Sequence, residues 1–215
     1  MNIAIFGASG GTGRELVRQS AERGHQVTAF VRNPHSLPNV SGTQHPVRSV
    51  VGDALDPRAV ASAIEGQDAV LSALGPRTLR TDPLLPESMR HILAAMQQNG
   101  VRRLIVLGAA GVWPGATRDL SAPGKLILNF LHSVMLKQVF AEHREMQTLI
   151  RNSSAEWTVV QPPFLSNAPG RGQYRVRPDT LPARGMRIAR ADVAHFMLAQ
   201  LSSSEWVRKS PYLSW

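Results

Sequence analysis

The residues that could do chemistry begin at the N-terminus, with Gly7-Ala8-Ser9-Gly10-Gly11-Thr12-Gly13. Three of its glycines, at 7, 10 and 13, are spaced three apart. An apolar run of strand type, Asn2-Ile3-Ala4-Ile5-Phe6, leads in, and a helical pattern, Arg14-Glu15-Leu16-Val17-Arg18, leads out. Strand, glycine turn and helix together present backbone N–H groups and the positive end of a helix dipole to an anion. A side chain at a glycine position would block the anion's approach. This is the architecture that holds the pyrophosphate of a dinucleotide. Gly7, Ser9, Gly10, Gly11, Thr12 and Gly13 are therefore the first candidate binding residues.

The second strand, Gln26 to Val31, indicates which dinucleotide. NAD sites commonly end this strand on an acidic residue that bonds the ribose 2′-hydroxyl. Here the strand ends Phe30-Val31-Arg32-Asn33-Pro34, with no carboxylate. Arg32 would instead meet a 2′-phosphate through a charge-assisted bond, with Arg14 as a helper, so the expected cofactor is NADP(H). Asp53 and Ala54, after the third strand, are expected on the adenosine side, although Asp53 also suits a turn cap. Leu74 and Gly75 end the fourth strand where the middle of the cofactor should pass. Backbone at Gly75, Ala109 and Pro162 is expected around the nicotinamide.

The glycine spacing is similar to that of short-chain dehydrogenases/reductases, which typically use Tyr-x-x-x-Lys as a general acid/base pair. The chain has two tyrosines, Tyr174 and Tyr212. Pro178 stands where the lysine after Tyr174 would be, and the sequence ends before one could follow Tyr212. The usual alcohol chemistry is therefore argued against. Hydride transfer to a conjugated acceptor, such as a flavin or a linear tetrapyrrole, asks less. The delocalised system takes up the charge, solvent supplies the proton, and the protein holds the two rings face to face. Trp113 is a candidate platform for such an acceptor. The sequence offers no His/Asp/Glu cluster with metal-ligand spacing and no nucleophile elbow. With no cysteine, thiolate chemistry and disulfides are excluded, which fits a cytoplasmic location.

Around these residues, apolar runs alternate with amphipathic helical patterns. Further strands are expected at Val47 to Val51, Ala69 to Leu74, Arg103 to Leu107 and Trp157 to Gln161. Helices are expected from Asp56-Pro57 through Ile64, over Glu87 to Gln98, over Leu126 to Arg151 and over Asp192 to Leu201. Asp56 reads as an N-cap with proline at the first helical position. The alternation predicts an α/β fold, a doubly wound parallel sheet of Rossmann type, with ligands at the C-terminal strand ends. The 215 residues suit one domain, with 164–190 as a small substrate-side cap in which Tyr174 to Arg177 is a short exposed strand. No apolar run approaches the ~18 residues that span a membrane, and no leader is evident. A formal charge of +9 could attract anions. Arg171, Arg175, Arg177, Arg184, Arg187 and Arg190 fit either a solvated hairpin or an anionic substrate. No aromatic RNA-binding motif or basic recognition helix accompanies them, so nucleic acid is not expected.

The chain resembles the NADPH-dependent flavin reductase/biliverdin-IXβ reductase family, within the NmrA-like atypical short-chain group. The resemblance rests on Ile3 to Gly10, Val27 to Arg32, Val50-Val51-Gly52-Asp53, Gly66 to Val70, Gln161-Pro162-Pro163 and Asp192 to Leu198, in that order. It implies NADPH binding and broad reduction of flavins or bilins, by a monomer or weak homodimer. It also implies roles on the long helix. His143 sits in a His-x-x-Met pattern similar to the family's, as a proton donor or a structural group. Lys137 is a further catalytic candidate, whereas His195 is expected to pack. The sequence departs from the family after the fifth strand: Leu107-Gly108-Ala109-Ala110-Gly111 has no hydroxyl where the family places a serine. That departure keeps open a second reading, a non-catalytic NADP(H)-binding sensor. A third is an isomerase or quinone reductase using the same hydride logic.

Overall fold

A computed structural model describes residues 1–40, 42–75, 84–113, 115–116, 118, 137–183 and 185–215. Pro76, Arg184 and the expected start of the long helix, 126–136, lie outside the described residues. The strands β1 (Asn2–Phe6), β2 (Gln26–Val31), β3 (Arg48–Val51), β4 (Ala69–Ser72), β5 (Arg103–Leu107) and β6 (Glu156–Val160) form one six-stranded sheet. Its order is β3-β2-β1-β4-β5-β6, and every pairing is parallel. The strand order reverses direction between β1 and β4. In a doubly wound sheet the ligand crevice lies outside the strand ends at that point.

The local chemistry explains the elements. Along β1, Ile3 and Ile5 enter one apolar cluster and Ala4 and Phe6 enter the other. A strand buried on both faces must read as a continuous apolar run, as Ile3 to Phe6 does. Helices α1 (Gly11–Glu22) and α5 (Arg190–Ala199) pack together on the Ile3/Ile5 side, where Leu16, Val17, Val193 and Met197 fill the layer. Helices α2 (Pro57–Ile64), α3 (Leu84–Gln98) and α4 (Lys137–Arg151) cover the other side with Ile64, Ile92 and Ile150. The Asp56 carboxylate accepts the Arg58 N–H at 2.9 Å, with Pro57 opening α2. This is the N-cap arrangement expected from Asp-Pro. Helix α3 begins at Leu84, three residues ahead of the expected Glu87, because Pro86 is tolerated in a first turn. No described helix is long and apolar enough to cross a membrane.

The last fifty residues differ most from the sequence reading. Strand β7 (Phe164–Ser166) pairs in parallel with β9 (Arg187–Ala189), and β8 (Arg175–Arg177) pairs antiparallel with β10 (Tyr212–Ser214). Of these, only β8 was expected. The segment 206–213 runs along β6: the Arg208 N–H donates to the Trp157 carbonyl at 2.6 Å and the Gln161 N–H to the Pro211 carbonyl at 2.8 Å. Ile188 and Leu213 are fully buried in the α1/α5 layer, so parts of this tail belong to the main core. The expected helix Asp192 to Leu201 starts two residues earlier, at Arg190, and ends at Ala199.

Backbone meets backbone closely where β1 turns into α1. A Cβ added at Gly13 would lie 2.0 Å from the Gly7 carbonyl oxygen, and one at Gly7 would lie 2.6 Å from the Ala73 carbonyl. Gly7 also has φ +74, a conformation that costs most residues strain. We predict that Gly13→Ala forces the helix start away from the strand end. Chemical denaturation should show a loss of about 1–3 kcal/mol, the usual scale of overpacking. An unchanged midpoint would mean that the two segments are not in this contact.

Candidate functional site

A cleft of about 280 Å³ opens at the reversal of strand order. Its lining comes from strand ends: Gly7, Ser9 and Gly10 after β1, Phe30, Val31 and Arg32 at the end of β2, Gly52 and Ala54 after β3, and Ala73, Leu74 and Gly75 after β4. Leu84, the first residue of α3, completes it. Seven of the residues singled out in the sequence are thus brought together: Gly7, Ser9, Gly10, Arg32, Ala54, Leu74 and Gly75. Phe30, Gly52 and Ala73 were not singled out. A Cβ at Gly52 would meet the Phe30 ring at 3.0 Å, and the Phe30 and Phe6 rings lie 4.8 Å apart. The readable signal was the aromatic residue two positions before Arg32.

The glycine turn supplies the polar end. Helix α1 has Gly10 as its N-cap, with no side chain capping it and no acidic residue in its first turn. Its first N–H groups are thereby left to an external acceptor. A pyrophosphate fits this arrangement on two counts. The donors are uncapped, and the glycines keep side chains out of the approach. Thr12 and Gly13 are buried in the first turn, while Ser9, Gly10 and Gly11 are exposed. Arg32 and Arg14 are both exposed, and neither is in an ion pair among the described residues. Asp53 takes the turn-cap position, accepting the Leu55 N–H at 3.0 Å. It does not line the cleft, whereas its neighbours Gly52 and Ala54 do.

Ala109 and Pro162 follow the ends of β5 and β6, where the Ala110 N–H donates to the Pro162 carbonyl at 2.9 Å. A Cβ at Gly108 would meet the buried Gln161 Oε1 at 2.8 Å. Gln161 belongs to an amide network: its Nε2 donates to Gln147 Oε1 at 2.8 Å, and the same oxygen accepts Trp113 Nε1 at 2.6 Å. The Arg151 guanidinium lies over the Trp113 ring, 4.5 Å from its centroid. Trp113 is thus fixed by α4 at its polar edge and over one face. It does not line the cleft.

The helix candidates are placed elsewhere too. Lys137 is exposed at the start of α4 and is not in the cleft lining. His143 is buried on α4, with Nδ1 lacking a partner among the described residues. Burial pushes its pKa down to about 4, so the ring is neutral near pH 7. Of the two roles expected for His143, proton donor or structural group, a buried neutral imidazole suits the second, because desolvation disfavours the cation. His195 is not packed as expected. It is exposed, and its Nδ1 meets the Tyr174 hydroxyl at 2.8 Å. Burial, and then Asp192, raise the Tyr174 pKa. Neither tyrosine lines the cleft.

The chain belongs to the NAD(P)H-binding family, whose pattern matches residues 7–204. It is similar to a 2-alkyl-3-oxoalkanoate reductase of Stenotrophomonas maltophilia, 30% identical over 187 residues. That match covers 79% of this chain and 52% of the reductase, so the chain spans about half of that relative's length. Two solved structures share the fold. One is a short-chain dehydrogenase/reductase of Veillonella parvula in complex with NADP, with TM-score 0.79 and 17% identity, covering 100% of this chain and 94% of the other. The second is ChuY, an anaerobilin reductase of Escherichia coli O157:H7, with TM-score 0.79 and 18% identity, covering 100% and 97%.

His143 gives stability a pH signature. Its folded pKa of about 4 lies below the ordinary 6.5, so on acidification the unfolded chain takes up the proton first. The associated stability is whole above pH 6.5 and is lost as pH falls toward 4, a change on the order of 3 kcal/mol. Denaturation at a series of pH values should show that loss. His143→Gln should flatten the profile over that window; an unaltered slope in the variant would place the titration elsewhere.

Proposed function

We propose that this protein is an NADPH-dependent reductase that transfers hydride to a flavin or a similar planar conjugated acceptor, bilins included. The observation that carries the proposal is the cleft's pairing of an uncapped helix start with Arg32 at the end of β2, where no carboxylate stands. In this reading Gly7, Ser9, Gly10, Gly11, Thr12 and Gly13 hold the pyrophosphate. Arg32, helped by Arg14, holds the 2′-phosphate through charge-assisted bonds. Asp53 and Ala54 flank the adenosine. Leu74, Gly75, Ala109 and Pro162 flank the nicotinamide.

The bound dinucleotide supplies the hydride. What the chain supplies is orientation, because no tyrosine–lysine pair stands at the cleft. A delocalised acceptor takes up charge without a protein acid beside it, and alignment of the two rings carries much of the rate. Phe164, 39% exposed and two residues past Pro162, offers an aromatic ring next to that segment. The names of two relatives, a reductase of an oxoalkanoate and a reductase of a bilin, support reduction as the reaction class. A second reading, a non-catalytic NADP(H)-responsive protein, is favoured by Ala109 and Ala110 standing where the resembled family has a serine.

The purified protein should oxidise NADPH in the presence of FMN, FAD, riboflavin, biliverdin or quinones, with saturation and faster than with NADH. Arg32→Glu should weaken NADPH about 10–100-fold, the value of a charge-assisted bond, and leave NADH affected far less. Tight NADPH binding without turnover on any acceptor would select the second reading. Equal losses for both dinucleotides would remove Arg32 from the phosphate.

A further inference from the structure

Arg190 opens helix α5, yet its side chain does not stay with that helix. It extends across the first residue of α1. A Cβ built at Gly11 would lie 2.6 Å from both Cδ and Nε of Arg190, and 3.5 Å from its guanidinium carbon. A side chain at position 11 would push the Arg190 side chain off this path. Among the described residues the guanidinium is oriented by a bond from Nη1 to Asn167 Oδ1 at 2.7 Å. Asn167 follows β7 directly, so the bond ties the ends of the β7/β9 pair together over the glycine turn.

The charge balance of this contact is unusual. Asn167 fixes the guanidinium but is neutral. Arg190 is in no ion pair among the described residues. The helix start beneath it is itself the positive end of a dipole, and no acidic residue occupies its first turn. Arg14, on that same turn, adds another exposed cation. The nearest carboxylate along the helix, Glu15, is engaged with Arg18 at 2.7 Å. Asp192, two residues from Arg190, is used by the Arg171 N–H at 3.0 Å and by Trp215 Nε1 at 2.6 Å. A cation fixed over a positive helix end repels it, and an anion lying between the two reverses the sign of both interactions.

We propose that Arg190 binds the dinucleotide's pyrophosphate, clamping it from the C-terminal segment against the glycine turn. This rests on the reading of the cleft as the dinucleotide site and adds to it a residue that stands beside the lining, over Gly11. The division of labour with Arg32 follows from position. Arg32 stands at the end of β2 and reads the 2′-phosphate, which only NADP(H) carries. Arg190 lies over the helix start and meets phosphates that both dinucleotides carry. It therefore contributes affinity without contributing to the choice between them.

The test compares full-length wild type, Arg190→Met, Arg190→Lys and Asn167→Ala by titration with NADPH, NADH and adenosine 2′-phosphate, which lacks the pyrophosphate. Arg190→Met should weaken NADPH and NADH by the same factor, about 10–100-fold, and leave adenosine 2′-phosphate unchanged. Arg190→Lys should recover part of the loss by restoring charge without the fork. Asn167→Ala keeps the cation but frees it, and should cost both dinucleotides a smaller factor. Wild-type affinity in Arg190→Met would overturn the proposal. So would a matched loss for adenosine 2′-phosphate accompanied by a lower unfolding midpoint, which is the signature of a merely structural arginine. Failure of the wild type to bind either dinucleotide would instead overturn the reading of the cleft, and the proposal with it.

Discussion

The close crossing of the end of β1 with the start of α1 is the constraint on which the rest of the structure depends. A Cβ at residue 13 would lie 2.0 Å from the Gly7 carbonyl oxygen, and a Cβ at residue 7 would lie 2.6 Å from the Ala73 carbonyl. Three segments, the ends of β1 and β4 and the first turn of α1, meet with no side chain between them. That contact sets the angle at which α1 leaves the sheet, and so which residues of α1 face α5 in the apolar layer. It also aims the uncapped N–H groups of α1 outward, since the backbone has nowhere else to turn. Packing and anion recognition therefore share one geometric cause.

Much of this was legible in the sequence because it is local. Ile3 to Phe6 and Leu104 to Leu107 are unbroken apolar runs, Gln26 to Val31 is mostly apolar, and all three strands have the expected bounds. Asp56-Pro57 carried its own N-cap signal, and Gly24, Gly66 and Gly100 end their helices at positive φ. What was not legible is nonlocal. Strand β10 finds its partner in β8 through Tyr212 and Arg177, and β7 pairs with β9 through Phe164 and Arg187. Three-residue strands carry too little pattern to announce a partner so distant. The same limit applies to Arg190. The sequence offers it only as one of six arginines that fit a solvated hairpin or an anionic substrate, and only the tertiary path of its side chain brings it over Gly11.

The candidate site divides along the same line. The residues proposed for the phosphates could be picked out because anion recognition leaves a composition signature: glycines at fixed spacing, and an arginine where an acid would otherwise stand. The helix candidates could not be placed that way. A histidine four residues from a strand end and a histidine in a dry helix layer look alike in sequence. Only packing decided that His143 is desolvated, neutral and outside the cleft lining. Trp113 makes the same point from the other side. Its flat ring suggested a stacking surface, but Gln147 and Arg151 already occupy its edge and one face.

These placements leave the two halves of the proposed site with different physics. The phosphate half is specified by charge and by backbone donors held rigidly at the sheet, so its interactions are strong and local. The nicotinamide half, proposed at Leu74, Gly75, Ala109 and Pro162 with a backbone bond from Ala110 to the Pro162 carbonyl, offers shape rather than acid or base to an acceptor beside it. A site of that kind can discriminate poorly between acceptors, because an apolar surface gains similar free energy from any flat molecule that covers it. It can still discriminate well between cofactors, because an unpaired arginine or an unpaired phosphate is costly. A chain with strict demands on one ligand and loose demands on the other is what an orientation-driven hydride donor requires. In such a chain the groups that limit the reaction are those that hold the dinucleotide still.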